Sequence, residues 1–93
     1  MYNIKVTRAY RKSYKRVSRY KNFNARLLDK VINALAKGEK LDAKYNDHRL
    51  TGDLRDYREC HVSNDMLLVY QKRDDILVLL LVDIGSHASL FNK

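Results

Sequence analysis

The sequence predicts an α+β domain of order βααβββ, a helical hairpin packed on an antiparallel β-sheet. Three observations predict it. Two stretches before Gly38 carry apolar side chains at helical spacing. Three later stretches are alternating or continuously apolar runs of strand length. Short turn-forming segments, not helices, separate those three runs.

Asn3 to Val6 alternates polar and apolar residues, as a short strand does, and Thr7 can cap a following helix by accepting from backbone N–H groups. Between Arg8 and Tyr20 the apolar positions are Tyr10, Tyr14, Val17 and Tyr20, one helical stripe. Asn24 is placed to cap a second helix with the stripe Leu27, Leu28, Val31, Ile32, Leu35. Gly38 stands where a left-handed C-terminal cap is expected. Gly38 to Leu54 has neither period, and an unstructured stretch of that length in a compact domain is more often functional than not. Asp56–Val62 alternates, whereas Met66–Gln71 and Ile76–Ile84 are nearly continuous apolar runs of the kind found at a sheet centre. Ser63-Asn64-Asp65 and Lys72–Asp75 are turn chemistry, so the three runs form an antiparallel meander. Gly85-Ser86 ends the last strand, leaving His87–Phe91 as a short tail.

Ninety-three residues without proline or a glycine-rich linker make one domain, 1–93. The single cysteine, Cys60, has no internal disulfide partner, which favours a reducing compartment. No secretory signal is visible, and the longest apolar run, Ile76 to Val82, is too short to span a bilayer, so a cytoplasmic protein is expected. The net charge of +8 is unevenly spread: residues 1–49 hold 14 Lys and Arg against 4 acids, residues 50–93 hold 5 against 7. Such asymmetry is the footprint of a polyanion binder; RNA, DNA, an anionic membrane or an acidic protein would satisfy it. Seven Lys and Arg lie between Arg8 and Lys21 with no acid among them. A helix so self-repelling points to partner binding, with Arg8, Lys12, Arg16 and Arg19 as candidate contacts.

His48 lies in the long loop, His61 near the end of the first meander strand, and His87 just after the last. The ends of the first and third strands of a meander point the same way, so His61 and His87 can share one rim, to which the loop can bring His48. The strand period puts Tyr57, Glu59 and His61 on one face and Arg58, Cys60 and Val62 on the other, which makes Cys60 a core thiol. Three readings of the histidines compete. They can be polar residues without a role. They can be zinc ligands, for which the spacing is poor. Or they can be acid–base groups, since histidine exchanges protons near neutral pH. With Glu59, Asp65 and many cations, the third reading fits RNA strand cleavage by its own 2′-hydroxyl. That reaction needs a base, an acid and positive charge against a phosphorane, and no metal or other cofactor. There is no G-x-S-x-G elbow and no glycine-rich phosphate loop. Most of the seven tyrosines are more simply core than base-stacking platforms. Phe91, close to the C-terminus, is expected against a ligand or the His87 turn.

The stretches Tyr45-Asn46-Asp47-His48-Arg49-Leu50-Thr51-Gly52, Tyr57-Arg58-Glu59-Cys60-His61-Val62, Asp65 to Tyr70 and Gly85-Ser86-His87-Ala88-Ser89-Leu90-Phe91 resemble the YafQ branch of the RelE/ParE toxins. The resemblance implies a RelE-like fold and a ribosome-dependent messenger-RNA endonuclease neutralised by a cognate antitoxin. It implies an active-site set of His48, His61, Asp65 and His87, supported by Phe91 and by Glu59. In that set His87 is the general acid, His61 with Asp65 forms the base side, and His48 contacts the phosphate or the base side. The antitoxin is expected to be acidic where it touches this chain; the other partner is the ribosome with its message, and no membrane is involved. Two positions depart from the pattern: Met66 stands where an aromatic is common, and Asp83 where arginine is common. Asp83 has the parity of Leu79 and Leu81 and is expected at the sheet rim near His87, where a carboxylate repels a scissile phosphate. Lys44, Arg49 and Arg58 are the candidate substitute cations. The alternatives are a catalytically weak member that keeps its RNA, ribosome and antitoxin surfaces, and a gyrase-poisoning ParE-like toxin, against which the three histidines argue.

Overall fold

The structure, a computed structural model, describes residues 1–91, with the side chain of Phe91 outside that description. The expectation for Phe91 as a supporting aromatic therefore lies outside the described residues. The chain runs β1 (Asn3–Val6), α1 (Arg8–Val17), α2 (Ala25–Ala36), β2 (His48–Arg49), β3 (Arg58–Ser63), β4 (Met66–Arg73), β5 (Val78–Gly85) and α3 (His87–Phe91), with 3₁₀ turns at Ala43–Tyr45 and Gly52–Leu54. The five strands form one sheet in the order β1-β5-β4-β3-β2.

The expected caps are present. Thr7 Oγ1 accepts from Tyr10 N–H at 2.9 Å, Asn24 Oδ1 accepts from Leu27 N–H at 3.0 Å, and Gly38 takes φ +79° after α2. The meander is antiparallel through β3, β4 and β5. The sheet as a whole is not: β1 lies parallel to β5, with Asn3 opposite Val78 and Val6 opposite Leu81. Apolar content marks β5 as an interior strand but carries no information on the direction of its neighbours. The stretch expected to lack structure holds two 3₁₀ turns and β2, which pairs with β3 at the sheet edge. The C-terminal tail is the short helix α3. Helix α1 stops at Val17 and buries Tyr10, Ser13 and Val17; Tyr20 is exposed. Tyr14 leaves the stripe to stack on Tyr10 at 6.0 Å and to meet Phe23 edge-on at 5.7 Å.

One face of the sheet receives both helices. Tyr10, Val17, Leu28, Val31 and Leu35 form one core with Cys60, Leu68, Tyr70, Leu79, Leu81 and Ile84. Each fully buried leucine there contributes roughly 2 kcal/mol. Cys60 is the core thiol that the alternation predicts, and burial pushes its pKa up to about 12.

Strand β5 carries a bulge that decides which residues face the other side. Val69 pairs with Asp83 and Tyr70 with Leu81, so Val82 is an extra residue and the phase of the strand changes there. The parity expected for Asp83 is thereby corrected. Asp83 does not share a face with Leu79 and Leu81 but points away from the helices, while Ile84 takes the inward phase. Thr7 ties this bulge to the start of α1, because its hydroxyl donates to Val82 C=O at 2.6 Å.

Candidate active site

Cross-strand partners share a face, so the register lays out the side of the sheet turned away from the helices. His48 pairs with Glu59, Glu59 with Val69, and Val69 with Asp83, a row across four strands. The neighbouring row is His61, Leu67 and Gly85. Leu67 and Val69 are buried yet lie outside the helix-side core, and they form an apolar floor between the polar members. Helix α3 begins with His87, two residues beyond Gly85, and folds back over that glycine. A Cβ on Gly85 would lie 2.5 Å from Ser89 Oγ and 3.5 Å from Leu90.

Glu59 is 5% exposed, and its carboxylate needs a partner there. His61 Nε2 supplies one at 3.3 Å. His48 is oriented from its own loop: its Nδ1 lies 2.7 Å from Asn46 C=O. A carbonyl only accepts, so Nδ1 carries the proton and Nε2 of the neutral ring is left with a lone pair. Asn46 holds its carbonyl in place through a left-handed conformation, φ +47°, that closes the 3₁₀ turn.

The structure thus brings together His48, Glu59, His61 and Asp83 on one face, with His87 on the helix at its end. Asp65 stands apart. It is exposed in the β3–β4 turn and lines a cleft of about 350 Å³ with Tyr20, Asn22, Ser63, Asn64 and Ser86. Among the described residues no hydrogen bond or ion pair joins it to His61, whose carboxylate partner is Glu59. Asp83 is half-buried and accepts from Ile84 N–H at 2.8 Å.

Of the three cations expected to replace the usual arginine, only Lys44 shares a cleft with His61. It borders a cleft of about 390 Å³ with His61, Leu27, Ser63 and Asn64, and its Nζ sits 5.3 Å from the Tyr45 ring centroid. Arg49 and Arg58 are register partners on the opposite, helix-facing side, and Arg58 Nε is held 3.3 Å from Asp47 Oδ1. As cations against a phosphate on the histidine face they are misplaced, because strand alternation turns Arg58 away when it presents Glu59. Arg8, Lys12, Arg16 and Arg19 are all exposed. Among the described residues no three His, Cys, Asp or Glu converge as a metal site, and no helix is long and apolar enough to cross a membrane.

Sequence reasoning passes over Asp47, Tyr70 and Gly85. Asp47 and Gly85 adjoin or flank histidines in the stretches already singled out, but nothing in their spacing tells that one is clamped from behind the sheet and the other is crowded by α3.

The sequence model of a family described as bacterial toxin of type II toxin–antitoxin system, YafQ, matches residues 2–92. The mRNA interferase toxin YafQ of Escherichia coli K12 is 41% identical over 51 residues, 55% of this chain and 53% of that protein. The chain spans about half the length of the curated relatives it matches. Among solved structures, a metal-bound toxin from Helicobacter pylori superposes with a TM-score of 0.89 at 42% identity, covering 98% of this chain and 100% of that one. A chain of the E. coli DinJ–YafQ complex does so with a TM-score of 0.87 at 27% identity, covering 99% and 100%.

Proposed function

The chain belongs to the YafQ family of toxins from bacterial type II toxin–antitoxin systems, and on that premise we propose that it is an endoribonuclease cutting messenger RNA on the ribosome. The observation that carries the reading is the single sheet face presenting His48, Glu59 and His61, with His87 set at its end by α3. The curated relative in E. coli is named an mRNA interferase toxin. The chemistry uses the chain's own groups. A base takes the proton of a 2′-hydroxyl, whose oxygen attacks the adjacent phosphorus. The phosphorane then expels the 5′-oxygen, which is protonated by an acid, leaving a 2′,3′-cyclic phosphate and a 5′-hydroxyl.

His87 is assigned as the acid. The base side, first placed on His61 with Asp65, moves to His48, because its Nε2 presents a lone pair and His61 is engaged with Glu59. In its protonated form His61 supplies a cation on a face that Asp83 makes more acidic. Asp65 and Asn64 line the cleft beyond it. The exposed cations of α1 face ribosomal RNA or an acidic segment of the cognate antitoxin. The site of action is the cytoplasm, where the ribosomes are.

Single-turnover cleavage of ribosome-bound and naked message tests this. His87→Ala should lower cleavage by about two to four orders of magnitude and abolish growth arrest without unfolding the protein. Undiminished cleavage by the folded variant overturns the assignment. Asp83 favours a second reading, a member that binds ribosome and antitoxin but turns over slowly, since its carboxylate lies in the row with His48 and Glu59. A wild-type rate no faster than that of His87→Ala selects it. The gyrase-poisoning alternative is not proposed, because the family matched is that of YafQ.

A further inference from the structure

The two-residue strand β2 carries His48 but is too short to fix it. It pairs with β3 at only two positions and lies at the sheet edge. The turn before it passes through Asn46 at φ +47°, in the left-handed region that Asn adopts more readily than other non-glycine residues. The next residue, Asp47, is held on the other side of the sheet. The Asp47 carboxylate accepts from the Tyr70 hydroxyl at 2.5 Å and from Arg58 Nε at 3.3 Å, and the same Arg58 Nε lies 3.3 Å from the Tyr70 oxygen. Tyr70 is 1% exposed on β4, in the middle of the sheet, which makes it the rigid member of the three. Burial, followed by its bond to Asp47, raises its pKa well above the ordinary phenol range, so the hydroxyl remains a donor.

Asp47 and His48 are adjacent in sequence, and strand alternation sends their side chains to opposite sides. We propose that Asp47, gripped by Tyr70 and Arg58 on the helix-facing side of the sheet, is the positioning residue for His48 on the active face. The clamp holds the Asn46–His48 backbone so that Asn46 C=O meets His48 Nδ1 at 2.7 Å, fixing the ring's plane and tautomer. The catalytic part of this inference rests on the reading of His48 as the proton acceptor. The Asp47–Arg58 pair has partly exposed partners and by itself contributes little to stability, but removing Asp47 also leaves the buried Tyr70 hydroxyl without its acceptor, so urea unfolding of each variant accompanies the test.

Nitrogen–proton correlation spectra of the histidine rings, recorded beside single-turnover cleavage, test the clamp. Wherever the His48 ring of the unaltered protein is neutral, it should show a single tautomer, protonated at Nδ1. Asp47→Ala, and to a smaller degree Tyr70→Phe, should replace that signal with averaged tautomers. Both should lower kcat by about 10- to 100-fold at unchanged KM. Asp47→Asn keeps an acceptor oxygen for the Tyr70 hydroxyl and should retain most of the activity. In a His48→Ala background, Asp47→Ala should change cleavage by less than about twofold, because it acts through the ring already removed. Ring signals unaltered by Asp47→Ala overturn the proposal, as does an equal loss of cleavage in both backgrounds. Full activity in His48→Ala alone would remove His48 from the catalytic site, while the ring spectra would still decide whether Asp47 positions it.

Discussion

Adding one methyl group at Gly85 should uncouple His87 from the rest of the site. An alanine Cβ would stand 2.5 Å from Ser89 Oγ, about 0.9 Å short of ordinary contact at 3.4 Å, while Leu90 at 3.5 Å is already in contact. Ser89 is not free to yield. Its hydroxyl donates to Ser86 C=O at 3.0 Å, its N–H donates to Ser86 Oγ at 3.1 Å, and Leu90 N–H donates to the same Ser86 carbonyl at 3.1 Å. Rotating the hydroxyl away forfeits a hydrogen bond worth about 1 kcal/mol, in a five-residue helix far too short to persist by itself. The alternative is that α3 lifts by close to the same distance, and a displacement of about 1 Å at a reacting group lowers rate by roughly a hundredfold. Gly85→Ala should therefore lower single-turnover cleavage of ribosome-bound message by about 10- to 100-fold with a stability loss of about 1 kcal/mol. Ser89→Ala removes the oxygen that is struck. Alone it should cost only a few-fold in rate, and the double variant should return to the level of Ser89→Ala. A Gly85→Ala enzyme of normal rate, or a double variant as slow as Gly85→Ala, would refute the packing argument.

Asp83→Arg should raise single-turnover cleavage about tenfold, because a cation in the row with Glu59 and His48 opposes phosphorane charge; a rate that falls or stays level shows that the phosphate charge is met elsewhere. Reversing Arg8, Lys12 and Arg19 to Glu should weaken ribosome association and reduce the slope of log affinity against log salt by about 2 to 3. If affinity and slope both hold, that basic surface belongs to the antitoxin or to solvent. Stability should fall in alkali, because burial pushes both Cys60 and Tyr10 up to about 12. Both groups are neutral acids with raised native pKa values, so their contribution is complete below the ordinary 9.0 and 10.0 and is lost as pH climbs towards 12. Urea unfolding at pH 8 and pH 10.5 should differ by about 2 kcal/mol through Cys60 alone, and Cys60→Ala should flatten that part of the profile.

The helices, their caps and the meander were legible because each is specified by neighbours in sequence: Thr7 and Asn24 at the helix starts, the stripe through Leu28, Val31 and Leu35, the alternation that sends Cys60 inward. What was not legible depends on residues distant in the chain. That β1 lies beside β5 fits the need of an interior strand for a partner on each edge, but nothing in Asn3–Val6 states its direction. Asp83 shows the same limit within the candidate site. Parity counting fails there because one inserted residue, Val82, reverses every side chain after it. The stabilising partner of that bulge, the Thr7 hydroxyl, is 75 residues away. The consequence is functional. With Val82 bulged out of the ladder, Asp83 and Gly85 face the histidines and Ile84 faces the core. Were Val82 paired as a regular strand residue, Ile84 would replace Asp83 on that face and Asp83 would enter the core unpaired. The bulge therefore sets which residue at the end of β5 shares the face with His48 and Glu59, and in the proposed reaction which one stands toward the scissile phosphate. It makes position 83 a place where one substitution changes the charge of the site without disturbing the helix-side core.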